Sequence, residues 1–497
     1  MIWANFIHIY QPPDQLFDIL ERVVNESYRK LIEGLRQNQK AKITLNINAG
    51  LTEQLAQHKY NNILEGIKFL AERGQIEFTE SAKYHPFLPL VPGEEIVRQI
   101  KLNNETNKFY FGEVYQPKGF FPPEMGYSRE VAEIAAKLGY QWIIIDEIAF
   151  NGKSEAVLYD KIYTIKGLKD FKVFFRERRL SNLIMSAVVR SGQSLLEAMG
   201  DEEKKNRYLL TAMDGETFGH HRPGLDKLLF EIFKSDIFQK VKISDIPKYF
   251  PQAEAIEPVN STWSTAEEEI EKKTVFNSWH DPQNPIHQWQ WELTNWIDRV
   301  VRNLNPKTPN YEKIRDKMDK ALHSCQFWWA SGKPWWSLEM IESGAWKVLE
   351  VAKMLPNFSK NDIKKAEDYY QRIVLKAFGW QRTGYIRKLA FEMQSQIKIP
   401  FKERTFKAGK PNVYYAFLDM MKKEMEKAAK NKEFEKAILW RDAITKIEEQ
   451  NDIYDAVHAI DLLRMEVPFG ELEKLMDKYK EKYKKIKSGQ PEQRDSL

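Results

Sequence analysis

One cysteine, Cys325, stands in a chain of 497 residues. That excludes an internal disulfide and fits a reducing compartment. No apolar run approaches the roughly 20 residues that a membrane-spanning helix needs. Neither sign of charge dominates: 76 Lys and Arg face 71 Asp and Glu, for a net charge of +5. This balance gives no electrostatic case for a nucleic-acid partner or any other strongly acidic one. The opening residues, MIWANFIHIY, lack the basic n-region and cleavage site of a secretory signal. The expectation is a cytoplasmic protein with no nucleic-acid and no membrane partner. What is plentiful is globular in kind, 42% hydrophobic and 30% charged. The length allows two or three domains with large cores.

The first half alternates strand and helix patterns. Strands are predicted at 3–9, 42–48, 75–81, 118–124, 140–146, 172–177 and 207–214, with a shorter one at 241–244. Most are near-continuous apolar runs, as parallel strands buried on both faces require. Helical patterns separate them, so an α/β fold follows, and seven or eight such strands suggest a barrel. The stretch LYDKIYTIKGLKDFKVFF reads as a small β excursion. From about residue 261 the strands stop and helical patterns run to about 395. Ten of the fourteen tryptophans lie between Trp263 and Trp346. Adjacent pairs such as Trp328-Trp329 cannot all face one core, and Trp is a favoured stacking platform, so some are expected to line a cleft. A basic linker, KIPFKERTFKAGKPN (398–412), leads into charged helices. The domains expected are 1–260, 261–397 and 398–497. Residues 422–449 split into two helices around Asn431, with Met425, Ala428, Ala429, Phe434, Ala437, Trp440, Arg441 and Ile444 forming a seam. This pair closely resembles the UVR motif, a short helical hairpin used for protein association. The resemblance implies a possible docking hairpin for a protein partner.

The chemistry is concentrated where strands end. In GFFPPEMGYS (119–128) two prolines close a strand, Glu124 follows, and Ser128 suits a helix N-cap. In LLTAMDGETFGHHRPG (209–224) an apolar run leads into Asp214, and a Gly-containing turn then carries Glu216, His220 and His221. Strand C-terminal ends carry the active sites of barrel enzymes. Two carboxylates ending two parallel strands would face one mouth. Such a pair is the minimal equipment for glycoside hydrolysis, one carboxylate attacking the anomeric carbon and one protonating the leaving oxygen. Mutual repulsion would raise one pKa and keep the acid protonated. Other strand ends add His8 and Gln11 in HIYQPP, Glu53 in NAGLTEQL, Glu80 and His85 in ESAKYHPFLPLVP, Asp146 and Glu147, and Arg176 in FFRERRLSN. A metal alternative stays open, in which His8, His85, His220, Asp214 and Glu216 hold zinc or manganese as in polysaccharide-deacetylase-type barrels. However, no HxxxH or HxxEH helix is present.

These motifs look like glycoside hydrolase family 57, the α-glucan-active family of amylases, 4-α-glucanotransferases, branching enzymes and amylopullulanases. The resemblance covers about residues 1–340. It rests on His8, Gln11 and Pro12, on Gly50 and Glu53, on GFFPPEMGYS, on MDGETFGHH, and on LHSCQFWWAS (322–331), with YHPFLPLVP fitting as well. It implies a distorted seven-stranded (β/α) barrel, followed by an α-helical bundle that closes the cleft and then a C-terminal helical region. It implies a retaining mechanism with Glu124 as nucleophile and Asp214 as acid/base, and no metal or cofactor. His8, Gln11, Glu53, His85, Arg176, Glu216 and His220 would contact an α-glucan or malto-oligosaccharide, and Trp263, Trp328 and Trp329 would stack on its rings. Three positions depart from the pattern: Tyr10 where a second His is common, Asn182 where an Asp is usual, and Cys325 where an acid is often found. A glucan-binding scaffold with a decayed site is the remaining alternative. Retention of both carboxylates argues against it.

Overall fold

A computed structural model describes residues 1–333, 335–392, 401–407, 410–449, 460, 462–463, 466–467 and 469–487. The chain divides into two compact units, Met1–Thr383 and Gly384–Leu497.

The first unit is organised by ten strands: β1 (Ile2–Ile9), β2 (Ile43–Ile47), β3 (Ile76–Glu80), β4 (Gly119–Phe120), β5 (Trp142–Asp146), β6 (Ile162–Ile165), β7 (Lys172–Arg176), β8 (Tyr208–Asp214), β9 (Gln239–Val241) and β10 (Ala253–Ile256). The order β7-β5-β4-β3-β2-β1-β8 is parallel throughout. These are the seven long strands expected from the sequence, although β4 is only two residues because Pro122 and Pro123 end it. The sheet curls until its ends meet. The Glu177 amide donates to the Leu210 carbonyl at 2.8 Å, and Arg176 Nε donates to the Ala212 carbonyl at 2.8 Å. The result is a distorted barrel. The excursion is β6, antiparallel to β7, with β10 parallel beside it. The short strand β9 pairs with Ile2–Ala4 at the start of β1.

Strand alternation decides what faces the barrel interior. On β1, Trp3, Ile7 and Ile9 pack into the core beneath the outer helices, while Ala4 and Phe6 pack into the inner core. On β8, Leu209 and Met213 join the outer core, and Tyr208, Leu210 and Ala212 the inner one. The next inward positions are His8 and Asp214, which are register partners across the two strands. Burying these two apolar faces is the main drive for the fold.

After β10 the unit is helical. Helices Pro285–Arg302, Tyr311–Ala321, Leu338–Met354 and Lys360–Arg382 share a third core that includes Leu293, Ile297, Met318, Ile341, Val348 and Ile373. Between them, the short helix Cys325–Trp328 is tied to the barrel. The Ser324 amide donates to the His85 carbonyl at 2.9 Å, and His323 pairs with Pro86.

In the second unit, helices Pro411–Lys430 and Phe434–Glu449 form a hairpin around Asn431, the turn expected from the sequence. Trp440 is fully buried in its core, with Met421, Ala428, Ile444 and Leu463 around it. Of the linker expected at 398–412, residues 398–400 and 408–409 lie outside the described set, and Phe401–Lys407 is a short helix.

Candidate active site

Glu124 sits on a short turn, Pro123–Met125, directly after β4. Its backbone is left-handed, with φ 62°, and His85 is left-handed too, with φ 57°. Such conformations cost a non-glycine residue energy and persist where the surroundings enforce them. Here the enforcement is visible. The Trp263 amide donates to the Glu124 carbonyl at 3.2 Å, and Trp263 Nε1 donates to Glu124 Oε2 at 2.9 Å. The other oxygen, Oε1, faces His85 Nδ1 at 3.8 Å. The Glu124 side chain is 14% exposed. Burial pushes its pKa up to about 7, while hydrogen bonds from Trp263 and Ser324 pull it back.

Asp214 ends β8 beside His8. Its pKa is held well above the ordinary carboxylate range, first by burial and then by the charges of Glu216 and Glu124, with Arg176 opposing. The two strand-end carboxylates therefore share one electrostatic environment. His8 bonds Asn46 Oδ1 through Nδ1 at 2.8 Å, and burial lowers its pKa to about 4. Three rings form a stack, with Tyr10 on His85 at 4.1 Å and His85 on His8 at 5.1 Å between centroids. Burial, then the nearness of His8 and His323, keeps His85 neutral. Tyr10 Oη also meets Cys325 Sγ at 3.5 Å. Two of the departures from the family pattern thus touch each other.

The remaining candidates separate. Glu216 is buried and accepts hydrogen bonds from Tyr28 Oη, Gln11 Nε2 and the Tyr10 amide, so Gln11 and Glu216 brace the β1 and β8 loops against each other. Arg176 is buried and bonds Asp146 Oδ2 at 2.8 Å and Asn182 Oδ1 at 2.6 Å. Asn182, the third departure, is thereby a ligand of that guanidinium. Glu53 pairs with Lys83 Nζ at 2.8 Å, and His220 Nδ1 meets Glu26 Oε2 at 2.6 Å. His220 and His221 lie in the expected turn. In that turn Gly219 has φ 116°, and any side chain there would strike the Glu26 carbonyl, which is why glycine follows Phe218. Trp328 and Trp329 are half-buried and pack with Trp335. Sequence reasoning missed Asn46, Tyr28 and Ser324. Among the described residues, no group of three or more His, Cys, Asp or Glu could hold a metal ion.

The model of glycosyl hydrolase family 57 matches residues 5–253, half of the chain. The chain belongs to glycosyl hydrolase family 57. The alpha-amylase of Pyrococcus horikoshii is 28% identical over 247 residues, which are 48% of this chain and 38% of that protein. The 4-alpha-glucanotransferase of Thermococcus litoralis is 27% identical over 216 residues, 43% of this chain and 32% of that one. The aligned part thus spans about a third of these relatives. In fold, the chain is similar to the family 57 branching enzyme of Pyrococcus horikoshii, with a TM-score of 0.57 and 16% identity, covering 76% of this chain and 96% of that one. The UvrB/uvrC motif matches residues 417–450, the hairpin of the second unit.

Proposed function

We propose that the chain is a retaining glycoside hydrolase or transglycosylase acting on α-1,4-linked glucan. The observation that carries this reading is the carboxylate pair itself. Glu124 and Asp214 end separate parallel strands, and the charge of one raises the pKa of the other. In the first step ionised Glu124 attacks the anomeric carbon. The glycosidic C–O bond breaks, and protonated Asp214 gives its proton to the leaving oxygen. The glycosyl-enzyme carries no charge on Glu124, so one cause of the raised Asp214 pKa disappears. Asp214, now ionised, takes the proton from a water or a sugar hydroxyl, which attacks the anomeric carbon and frees Glu124. Relatives named alpha-amylase and 4-alpha-glucanotransferase match 48% and 43% of this chain. Whether water or a sugar is the acceptor depends on how far the bound acceptor excludes water. His8 and His85 line the nucleophile as neutral hydrogen-bonding groups for sugar hydroxyls, and Trp263 offers an indole beside it.

The test is incubation with maltoheptaose and separation of the products by chain length, with Glu124→Ala run beside it. Shorter sugars alone mean hydrolysis, and a ladder both longer and shorter means transfer. Activity that survives Glu124→Ala sinks the assignment. For the second unit, we propose that the hairpin docks a protein partner, which a pull-down with and without residues 411–449 would test.

A further inference from the structure

Arg178 opens the helix Arg178–Met185, just after β7. It lies on neither carboxylate's strand, yet it grips the turn that holds one of them. Its Nε donates to Asp146 Oδ1 at 2.8 Å, and its Nη2 lies 2.8 Å from the same oxygen. Asp146 is fully buried at the end of β5, and its other oxygen accepts from Arg176 Nη1 at 2.8 Å. On its far side, Arg178 Nη1 donates to the Thr265 carbonyl at 2.8 Å. Nη2 donates to the Trp263 carbonyl at 3.3 Å and to the Thr262 carbonyl at 3.5 Å. A guanidinium carries five N–H groups in one fixed plane. This one bridges a buried carboxylate and three carbonyls of a single turn.

Asp146 and those carbonyls are all acceptors. Without a donor between them, four oxygens would face one another in a largely buried place, which is costly. The rest of the turn is secured by other means. The Ser261 carbonyl accepts from the Tyr127 amide at 2.8 Å, and the Thr262 amide donates to Thr265 Oγ1 at 2.8 Å. What Arg178 adds is a hold on the Trp263 peptide, and with it on the indole. That indole reaches Glu124 directly, with Nε1 donating to Oε2 at 2.9 Å. Each link from Asp146 through Arg178 and Trp263 to Glu124 is a hydrogen bond of 3.3 Å or less.

We propose that Arg178 is a positioning residue for Glu124, clamping the 262–265 turn against Asp146 so that Trp263 holds the carboxylate. Lysine would not serve, because a single ammonium cannot span a carboxylate and three carbonyls. The titratable groups around Glu124 are His85, His8, Asp214, Tyr10 and Cys325. Burial holds the two imidazoles neutral and keeps Asp214, Tyr10 and Cys325 protonated. Glu124 is the member of this group that ionises near neutral pH.

The role in turnover rests on the function proposed above, whereas the clamp itself does not. The experiment therefore reads Glu124 directly, in the full chain. The protonated-carboxyl infrared band that disappears in Glu124→Gln is followed against pH, with a midpoint expected near pH 7. Trp263→Phe removes the donor and should raise the midpoint by about one pH unit, a tenfold change in the ionisation constant. Arg178→Met should raise it by the same amount, and the double variant by no more than either single one. Arg178→Lys keeps the positive charge and should still raise it, which separates lost aim from lost charge. It also carries the test where Arg178→Met does not fold. The acid limb of kcat/KM on maltoheptaose should move with the midpoint. A midpoint unmoved by Arg178→Lys, or an Arg178 shift that adds to that of Trp263→Phe, overturns the inference. A midpoint that behaves as expected in a chain with no glucan activity upholds the clamp and removes the enzymatic reading instead.

Discussion

Replacing the proposed nucleophile, Glu124, should stabilise the protein, and mainly at high pH. Glu124 has a folded pKa of about 7 against an ordinary value of 4.5, mainly because it is buried. A carboxyl whose folded pKa is raised costs stability when ionised. The cost is absent below the unfolded value, grows between the two, and is complete above the folded one. At about 1.4 kcal/mol for each pH unit between them, the full cost is about 3 kcal/mol. Glu124→Gln keeps the shape and an oxygen that can accept from Trp263 Nε1, but it carries no charge. The variant should therefore gain under about 1 kcal/mol at pH 5 and about 3 kcal/mol at pH 8. The first unit has 383 residues, for an unfolding entropy near 0.8 kcal/mol/K, so the pH 8 gain is a rise of about 4 °C in Tm. Thermal and urea unfolding of both chains at the two pH values would measure it. An equal gap at pH 5 and pH 8, or a variant less stable at both, would refute the reasoning.

Other outcomes follow from the same site. In wild type, kcat/KM should fall about tenfold per pH unit below pH 7, because only ionised Glu124 attacks, and a pH–rate profile from pH 5 to 8 checks it. Asp214→Asn should lower kcat/KM by roughly 10²–10⁴-fold on maltoheptaose, with little loss of kcat/KM on a glucoside whose leaving group needs no proton, so comparing the two substrates isolates the acid role, while kcat falls on both because the base of the second step is lost. In the second unit, Trp440→Ala empties the centre of a core in which the ring is fully buried. It should cost about 3–5 kcal/mol in denaturant unfolding of that unit.

The parts of this molecule that could be read from its residues are those governed by local rules. Runs such as WANFIHI and RYLLTAMD announce buried strands, and their alternation already points His8 and Asp214 the same way as Phe6 and Ala212. The prolines after Phe121 mark the end of β4, and Ser128 caps the following helix with a hydrogen bond to the Val131 amide. β10 was not legible: AEAI is mostly exposed and has no apolar pattern. The partners Tyr28 for Glu216 and Ser324 for His85 are separated by 188 and 239 residues. Nothing near Tyr28 marks it, and although Ser324 lies within LHSCQFWWAS, nothing in that segment names its partner, because such contacts come from the packing of distant elements. Gln11 and Arg176 were legible as strand-end polar groups but not as braces, since their partners decide that.

The tie between residues 323–325 and the barrel bears on how this architecture can be inherited or engineered. Ser324 and Cys325 reach the nucleophile's surroundings from beyond the strands, and Trp263 holds the carboxylate from just past the last one. A chimera joined near residue 260 would transplant both carboxylates and leave behind the indole, the hydroxyl and the thiol that surround one of them. The barrel and its helical region therefore form a single heritable module. Swapping the helical half between homologues should retune Glu124 as well as the cleft.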